Sequence, residues 1–303
     1  MNPWQAPVLP DYEILDLLGS GGMSYVWKAR EKSTGETVAI KILNEEFTQS
    51  REDVEQFRLE EHTMATITHQ GIVKSHRLEN ANGRWYFVME YVDGYNFGQL
   101  LARKQHLRET DCLLICESVA NALDYAWNEH AIVHCDIKPE NIMINSNGVI
   151  KITDLGLCHE FKLREQNPDA PEHVLGTPAY ISPEQVYGDV ELDCRADIYS
   201  LAATLYHLAT GRTLFPGLEA EAAMRAHCDP ESRAKDPRLY RPALSAGFCQ
   251  LLEAMLVKDR EERISSWQEI YQLATEVENG AAFTPRENDS PSSLELQSDS
   301  DAR

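Results

Sequence analysis

The sequence predicts an α+β fold of two unequal lobes: a small five-stranded lobe with one helix, then a larger, mainly helical lobe. Three observations carry this. From Tyr12 to about Tyr91, short runs of β-branched and aromatic residues alternate with Gly and Asn breaks. Beyond Gly94, apolar residues recur at helical spacing instead. The length of 303 residues suits one large domain or a pair of lobes, and 43% hydrophobic with 25% charged residues is a globular composition.

Residues 1–11 read as an N-terminal extension. The first lobe, 12–93, holds strands at 12–18, 25–30, 37–43, 72–78 and 85–91. One helix interrupts them: Ser50 with Asp53 three residues later reads as a capping box, and Val54, Phe57 and Met64 follow at helical spacing. The second lobe, 94–277, opens with a long amphipathic helix marked by Leu113, Cys116, Ala120, Leu123 and Trp127. Residues 197–210 are apolar on most sides, which predicts a buried helix at the centre of that lobe. Two closing helices are expected at 248–257 and 266–277. The remainder, 278–303, is an acidic, Ser-rich tail with few large apolar residues and is expected to be disordered. Its serines at 290, 292, 293, 298 and 300 read either as an autophosphorylation target or, the reading favoured, as a solvated end.

Charge narrows the function classes. Lys+Arg total 28 against 49 Asp+Glu, a net charge of −21, so nucleic acid and anionic membrane surfaces are poor partners. The longest mostly apolar stretch, 199–208, contains His207 and is too short to span a membrane. Residues 1–13 lack the basic start and apolar run of a signal peptide. The seven cysteines are scattered with no CxxC pair, which argues against a disulfide framework and a zinc site. A cytoplasmic chain in a reducing compartment is expected.

The chemistry concentrates in a few motifs. Gly19-Ser20-Gly21-Gly22-Met23-Ser24-Tyr25-Val26 lies between two predicted strands. Glycines serve tight hairpin turns, and they also let backbone N–H groups approach phosphate oxygens. A dinucleotide fold would place a helix directly after them; a strand follows here, which points to a flap over a nucleotide. On the third strand, Val38-Ala39-Ile40-Lys41 alternates so that Lys41 is either a solvated lysine or a buried one that needs a partner. Downstream, the run from Ile132 through His134, Cys135, Asp136 and Lys138 to Asn141 precedes a strand at 150–153 and then Asp154-Leu155-Gly156. Asp136, Asn141 and Asp154 offer oxygen ligands and a proton acceptor, as magnesium-assisted phosphoryl transfer requires.

This ordered set, closed by Ser182-Pro183-Glu184, resembles the protein kinases. GSGGMSYV, VMEYVDG, DIKPENIMI and GTPAYISPEQ are most similar to the bacterial branch of eukaryotic-like serine/threonine kinases, and the resemblance spans about residues 12–275. It implies the bilobal protein kinase fold and transfer of the ATP γ-phosphate to protein Ser/Thr hydroxyls with Mg²⁺, or Mn²⁺ in its place. Lys41 then holds the α- and β-phosphates while paired to a carboxylate of the first-lobe helix. Periodicity alone leaves Glu60 and Glu61 open, and the similarity of Phe57-Arg58-Leu59-Glu60 to the family's helix selects Glu60. Asp136 accepts or orients the substrate proton, Lys138 steadies the γ-phosphate beside Thr177, and Asn141 and Asp154 bind the metal. Leu18, Gly19, Ser20, Gly21, Gly22, Met23 and Ser24 form the flap. Val26, Ala39 and Met143 sandwich adenine, backbone groups of Glu90 and Val92 meet its edge, and Met89 is the gatekeeper. His134 and Asp197 brace the catalytic loop, and Glu184 pairs with Arg263.

A rival reading is a pseudokinase scaffold that binds nucleotide without efficient turnover, but Lys41, Glu60, Asp136, Asn141 and Asp154 are all in place. A small-molecule kinase fits poorly with the peptide-docking run 176–184. Glu140 and the acidic surface favour a basic residue near the phosphoacceptor. Many bacterial relatives continue into a membrane span and a sensor domain; this chain is expected to have neither, so its input is expected from a regulatory partner, a complex or expression level.

Several positions depart from the pattern. Leu155 replaces Phe, Ser24 replaces the third glycine and Ser182 replaces Ala. Cys135 stands where the family carries Arg, the residue that normally meets an activation-loop phosphate. Cys135 and Cys158 would be near neighbours in this fold, as a redox pair or as two inert buried thiols. Residues 157–176 contain no Ser, Thr or Tyr, so receptor and acceptor of an activating phosphate are missing together. Phosphatase treatment is therefore expected to leave kinase activity unchanged; a large loss would count against this, unless it traced to Thr177 or another site outside 157–176.

Overall fold

The computed structural model describes residues 7–155, 176–189 and 191–280. The expectations for Gly156, for Cys158 with its pairing to Cys135, and for the tail beyond 280 lie outside the described residues.

Five antiparallel strands, β1 (Tyr12–Ser20), β2 (Ser24–Glu31), β3 (Thr37–Leu43), β4 (Ser75–Ala81) and β5 (Arg84–Glu90), form one sheet in the order β1-β2-β3-β5-β4. Strand alternation gives this sheet two differently employed faces. Val38, Ile40 and Ile42 of β3 and Tyr86 and Val88 of β5 pack with Tyr12 and Trp27 in a core of their own. Ala39 and Leu43, with Phe87 and Met89, join the main core that runs on into the helical part. Lys41 therefore shares the face of Ala39 and leaves the sheet toward the cleft.

The first helix, α1 (Arg51–Thr66), starts at Ser50, whose side chain accepts from the Asp53 amide. The capping box is only half made: the Ser50 N–H donates to the Phe47 carbonyl at 3.2 Å instead of to Asp53. The strand expected at 72–78 is also shifted, because β4 begins at Ser75. Ile72 and Val73 are buried against another strand: the Val73 N–H donates to the Ile152 carbonyl at 2.9 Å, and the Ile152 N–H to Gly71 at 2.8 Å. Their apolar character belongs to the junction between the lobes.

The helical lobe opens with β6 (Gly94–Asn96) and α2 (Phe97–Lys104), then α3 (Glu109–His130). β7 (Ile142–Asn145) and β8 (Ile150–Ile152) complete a small sheet with β6, and a 3-10 turn at Pro139–Asn141 leads into β7. Gly94 is required here, since a Cβ would lie 1.9 Å from the Ile144 carbonyl oxygen. Then follow α4 (Pro183–Tyr187), α5 (Cys194–Thr210), α6 (Ala220–Cys228), α7 (Ala246–Met255) and α8 (Trp267–Glu278). As its nearly continuous apolar pattern predicts, α5 is buried along almost its whole length, and α3 packs on both α5 and α8.

Glu184 at the start of α4 is 4% exposed and Arg263 is 3% exposed. They meet in a two-pronged pair at 2.7 and 3.1 Å. The guanidinium also donates to the carbonyls of Val257, Arg195 and Lys258. Removing one member strands the other charge in the interior. Glu184→Ala is expected to destabilise the fold by about 3–5 kcal/mol in urea unfolding; a loss below about 1 kcal/mol, the range of an exposed pair, would contradict this.

Candidate active site

A cleft of about 650 Å³ opens between the two lobes, within the usual range for a small-molecule site. Every residue singled out from the sequence as catalytic, nucleotide-binding or metal-binding lines it. The roof is the β1–β2 hairpin, from Leu18 to Ser24, with Val26 behind it. Ala39, Met89, Glu90 and Val92 form the rear edge, and Met143 lies across from them. Lys41 and Glu60 occupy the upper wall, and Asp136, Lys138, Asn141 and Asp154 the floor.

The glycines at Gly19, Gly21 and Gly22 are not required by the backbone, since none has a positive φ. Nor are they required by packing: a Cβ on Gly19 or Gly22 would meet nothing within 4 Å. The hairpin backbone is instead left uncovered at Gly19 and Gly22.

Lys41 donates to Glu60 Oε1 at 2.5 Å and to Asp154 Oδ1 at 2.6 Å. Burial works against the ammonium charge, but Asp154 and Glu60 together overcome it and raise the pKa of Lys41. The two carboxylates divide: Lys41 holds the half-exposed Asp154 down at about 2. Glu60 is pushed up to about 7, because burial outweighs the attraction of the shared ammonium. Glu61 does not compete for Lys41, since it accepts from the Ser75 hydroxyl at 2.9 Å. Both glutamates are buried, which is why periodicity could not separate them.

On the floor, three groups fix the Asp136 carboxylate. Thr177 donates its hydroxyl to Oδ1 at 2.6 Å, while Lys138 and Asn141 donate to Oδ2 at 2.6 and 3.1 Å. Lys138 also donates to Thr177 Oγ1 at 3.0 Å, closing the network. A carboxylate offers about four lone-pair positions, so Oδ1 retains one for a further hydroxyl. Leu155, in place of the family's Phe, is fully buried in the main core with Phe57 and Met64.

The loop carrying Asp136 is held from below. Asp197, on α5 and 1% exposed, accepts from the adjacent amides of His134 and Cys135 at 2.6 and 2.8 Å. Cys135 has φ of +68°, a left-handed conformation that costs a residue with a Cβ about 1–2 kcal/mol. Hydrogen bonds to a charged group are worth about 1.5–3 kcal/mol each, so the Asp197 bonds are enough to enforce it. His134 Nδ1 accepts from the Asp136 N–H at 3.2 Å, which leaves Nε2–H to donate to the Thr153 carbonyl at 3.0 Å. That ring therefore links the catalytic loop to the segment bearing Asp154. Sequence reasoning missed Leu43, Phe57, Met64, Val73 and Phe87 on the cleft wall, whose signal is indistinguishable from ordinary core.

Burial raises the pKa of Asp197 from the ordinary 3.8 to about 6, against the pull of His134 and the two amide bonds. A carboxyl raised on folding binds its proton more tightly in the native state, so it contributes stability fully below about pH 4 and loses it as pH rises through about 6. The stability of the protein relative to Asp197→Asn is expected to fall by about 2–3 kcal/mol between pH 4 and 7, read from urea midpoints. A flat difference across that window would refute the assignment.

The protein kinase domain family matches residues 12–274. The chain is 34% identical to the serine/threonine-protein kinase PrkC of Bacillus subtilis, over 86% of this chain and 39% of that protein. It is 32% identical to the probable serine/threonine-protein kinase PknB of Bifidobacterium longum, over 90% of this chain and 41% of that protein. The chain thus spans about two fifths of the length of these relatives. The crystal structure of the Mycobacterium tuberculosis PknI kinase domain superposes with a TM-score of 0.67 at 25% identity, covering 89% of this chain and 97% of that one. Motifs, fold and cleft agree with these likenesses, and the chain belongs to the protein kinase domain family, among relatives named as bacterial serine/threonine kinases.

Proposed function

We propose that this chain is an active serine/threonine protein kinase that transfers the γ-phosphoryl group of ATP to protein hydroxyls with Mg²⁺. Mn²⁺ is the expected substitute metal. The observation that carries this reading is the convergence of Lys41, Asp136, Asn141 and Asp154 on one cleft beneath an open glycine hairpin. The backbone left uncovered at Gly19 and Gly22 permits close approach of a nucleotide triphosphate tail. Asn141 and Asp154 supply two oxygen-bearing side chains, and the described residues contain no cluster of three or more His, Cys, Asp or Glu suited to a metal. So sparse a donor set suits Mg²⁺, which retains waters and takes its other ligands from phosphates.

Bound metal would neutralise charge on the phosphates. The protein's own residues do the rest. Lys41, fixed between Glu60 and Asp154, presents an ammonium to the α- and β-phosphates. Val26, Ala39 and Met143 offer apolar surface for adenine, with backbone groups of Glu90 and Val92 at its edge and Met89 at the rear. Asp136 orients the attacking hydroxyl and takes its proton as the new P–O bond forms and the bond to the leaving ADP oxygen breaks. Lys138 faces the charge on the transferred group. With Thr177, which bonds both Asp136 and Lys138, the floor is organised for a peptide hydroxyl.

Transfer from labelled ATP to a basic protein substrate tests the reading. Asp136→Asn is expected to lower the rate by about 10²–10⁴-fold, as for loss of a catalytic base. EDTA is expected to abolish transfer, and added Mg²⁺ to restore it. ATP binding without transfer by the wild-type protein would overturn the proposal in favour of a scaffold.

A further inference from the structure

We propose that Gln185 is a positioning residue for phosphoryl transfer, acting through the carbonyl of Cys135 to set the catalytic loop against the substrate-docking segment. This rests on the kinase reading above. Gln185 lies in α4, is 1% exposed, and donates Nε2–H to the Cys135 carbonyl at 2.7 Å. Its Oε1 accepts from the Ser182 N–H at 3.2 Å and from the Ser182 hydroxyl at 3.0 Å. The amide orientation follows from chemistry: a carbonyl can only accept, so Nε2 must face Cys135 and Oε1 must face the donors of Ser182.

This bond falls at a consequential place. Cys135 sits at φ of +68° immediately before Asp136. Its N–H is taken by Asp197 from α5 and its C=O by Gln185 from α4, so two elements hold the two peptide groups of one strained residue. The segment that carries Gln185 also carries Thr177, whose hydroxyl bonds Asp136 Oδ1 at 2.6 Å. The docking segment thus grips the catalytic loop twice, once at the carboxylate and once at the backbone behind it. Gly176 makes room: a Cβ there would lie 3.2 Å from Gln185 Nε2, and its φ of +125° already favours glycine. Where the family's Arg would reach from this loop position toward a phosphate, the chain carries a cysteine, and a neutral amide joins the two segments.

A capping role and a positioning role separate cleanly. The cap at Ser182 uses only Oε1, so glutamate would serve it equally. The Cys135 carbonyl uses Nε2–H, which Gln185→Glu, assayed at a pH where its carboxyl is ionised, replaces with a second acceptor of the same shape. Gln185→Met removes both bonds at similar volume.

The experiment compares wild type, Gln185→Glu and Gln185→Met in steady-state transfer, with hydrogen exchange on the same proteins. Expected for Gln185→Glu is a kcat lower by about 10–100-fold, the scale of a small misplacement of a reacting group. The KM for ATP should be unchanged, because Ser182 and the Cys135 carbonyl, to which Gln185 bonds, stand outside the flap, the hinge and Lys41. Amides within 131–141 should exchange faster, while those of 194–210 keep their protection. If Gln185→Met does not fold, Gln185→Glu carries the test, since it retains the cap. A kcat within about two-fold of wild type would overturn the proposal. So would unchanged exchange at 131–141, or loosening that spreads equally through 194–210. A wild-type protein that transfers no phosphate would strike the kinase reading instead, and exchange would still decide whether the Cys135 carbonyl is held.

Discussion

One buried carboxylate organises the floor of the cleft. Asp197 lies in the most enclosed helix of the molecule, where an isolated charge is expensive, and it spends both oxygens on neighbouring amides of a loop. Those two bonds hold Cys135 left-handed, and the turn so formed presents Asp136 to the cleft. His134, fixed by the same carboxylate through its amide, reaches with its ring to the Thr153 carbonyl and so ties the Asp154 segment to the loop. Asp136 and Asp154 are thereby positioned by a single anchor, rooted in a helix that is buried along almost its whole length.

The roof and upper wall follow a different logic. Lys41 comes from a sheet, Glu60 from α1 and Asp154 from the opposite lobe, so one ammonium joins three elements. Two carboxylates cannot both be fully satisfied by one buried cation. The asymmetry is visible in the protonation tendencies: Asp154, whose side chain is 46% exposed, stays strongly ionised, while the more enclosed Glu60 is driven up. Competition for Lys41 therefore favours ionisation of the more exposed Asp154 over that of Glu60.

Much of this was legible in the sequence because the motifs carry spacing as well as composition. Alternation on β3 placed Lys41 opposite Ile40 and Ile42, and the continuous apolar run of residues 197–210 marked α5 as central. What escaped was set by tertiary context. Ile72 and Val73 look like the start of a strand, yet they are buried by pairing with Ile152 in the other lobe. The helices α2, α4 and α6 are short, with five to nine residues each, too few turns for a period to stand out. Glu60 and Glu61 differ only in which partner the fold delivers, an ammonium from β3 or a hydroxyl from β4. Gln185 was unreadable for the same reason, since its partner is a backbone carbonyl fifty positions away.

The replacement of Arg by Cys135 is best understood through what a tether must supply. A phosphate bound by an arginine orders two segments with strong, charge-assisted bonds, and it can be removed. In this chain the corresponding contacts run between groups that carry no removable charge. Thr177 meets Asp136, and the Gln185 amide meets the Cys135 carbonyl. A neutral hydrogen bond is individually weaker, at about 0.5–1.5 kcal/mol net. Here it is shielded from water, because Cys135 is 2% exposed and Gln185 1%. A buried carbonyl that lost its donor would have no solvent to turn to, so the penalty for opening approaches that of leaving a polar group unpaired in the interior. The buried Gln185 amide holds the peptide group that precedes Asp136 through neutral groups alone.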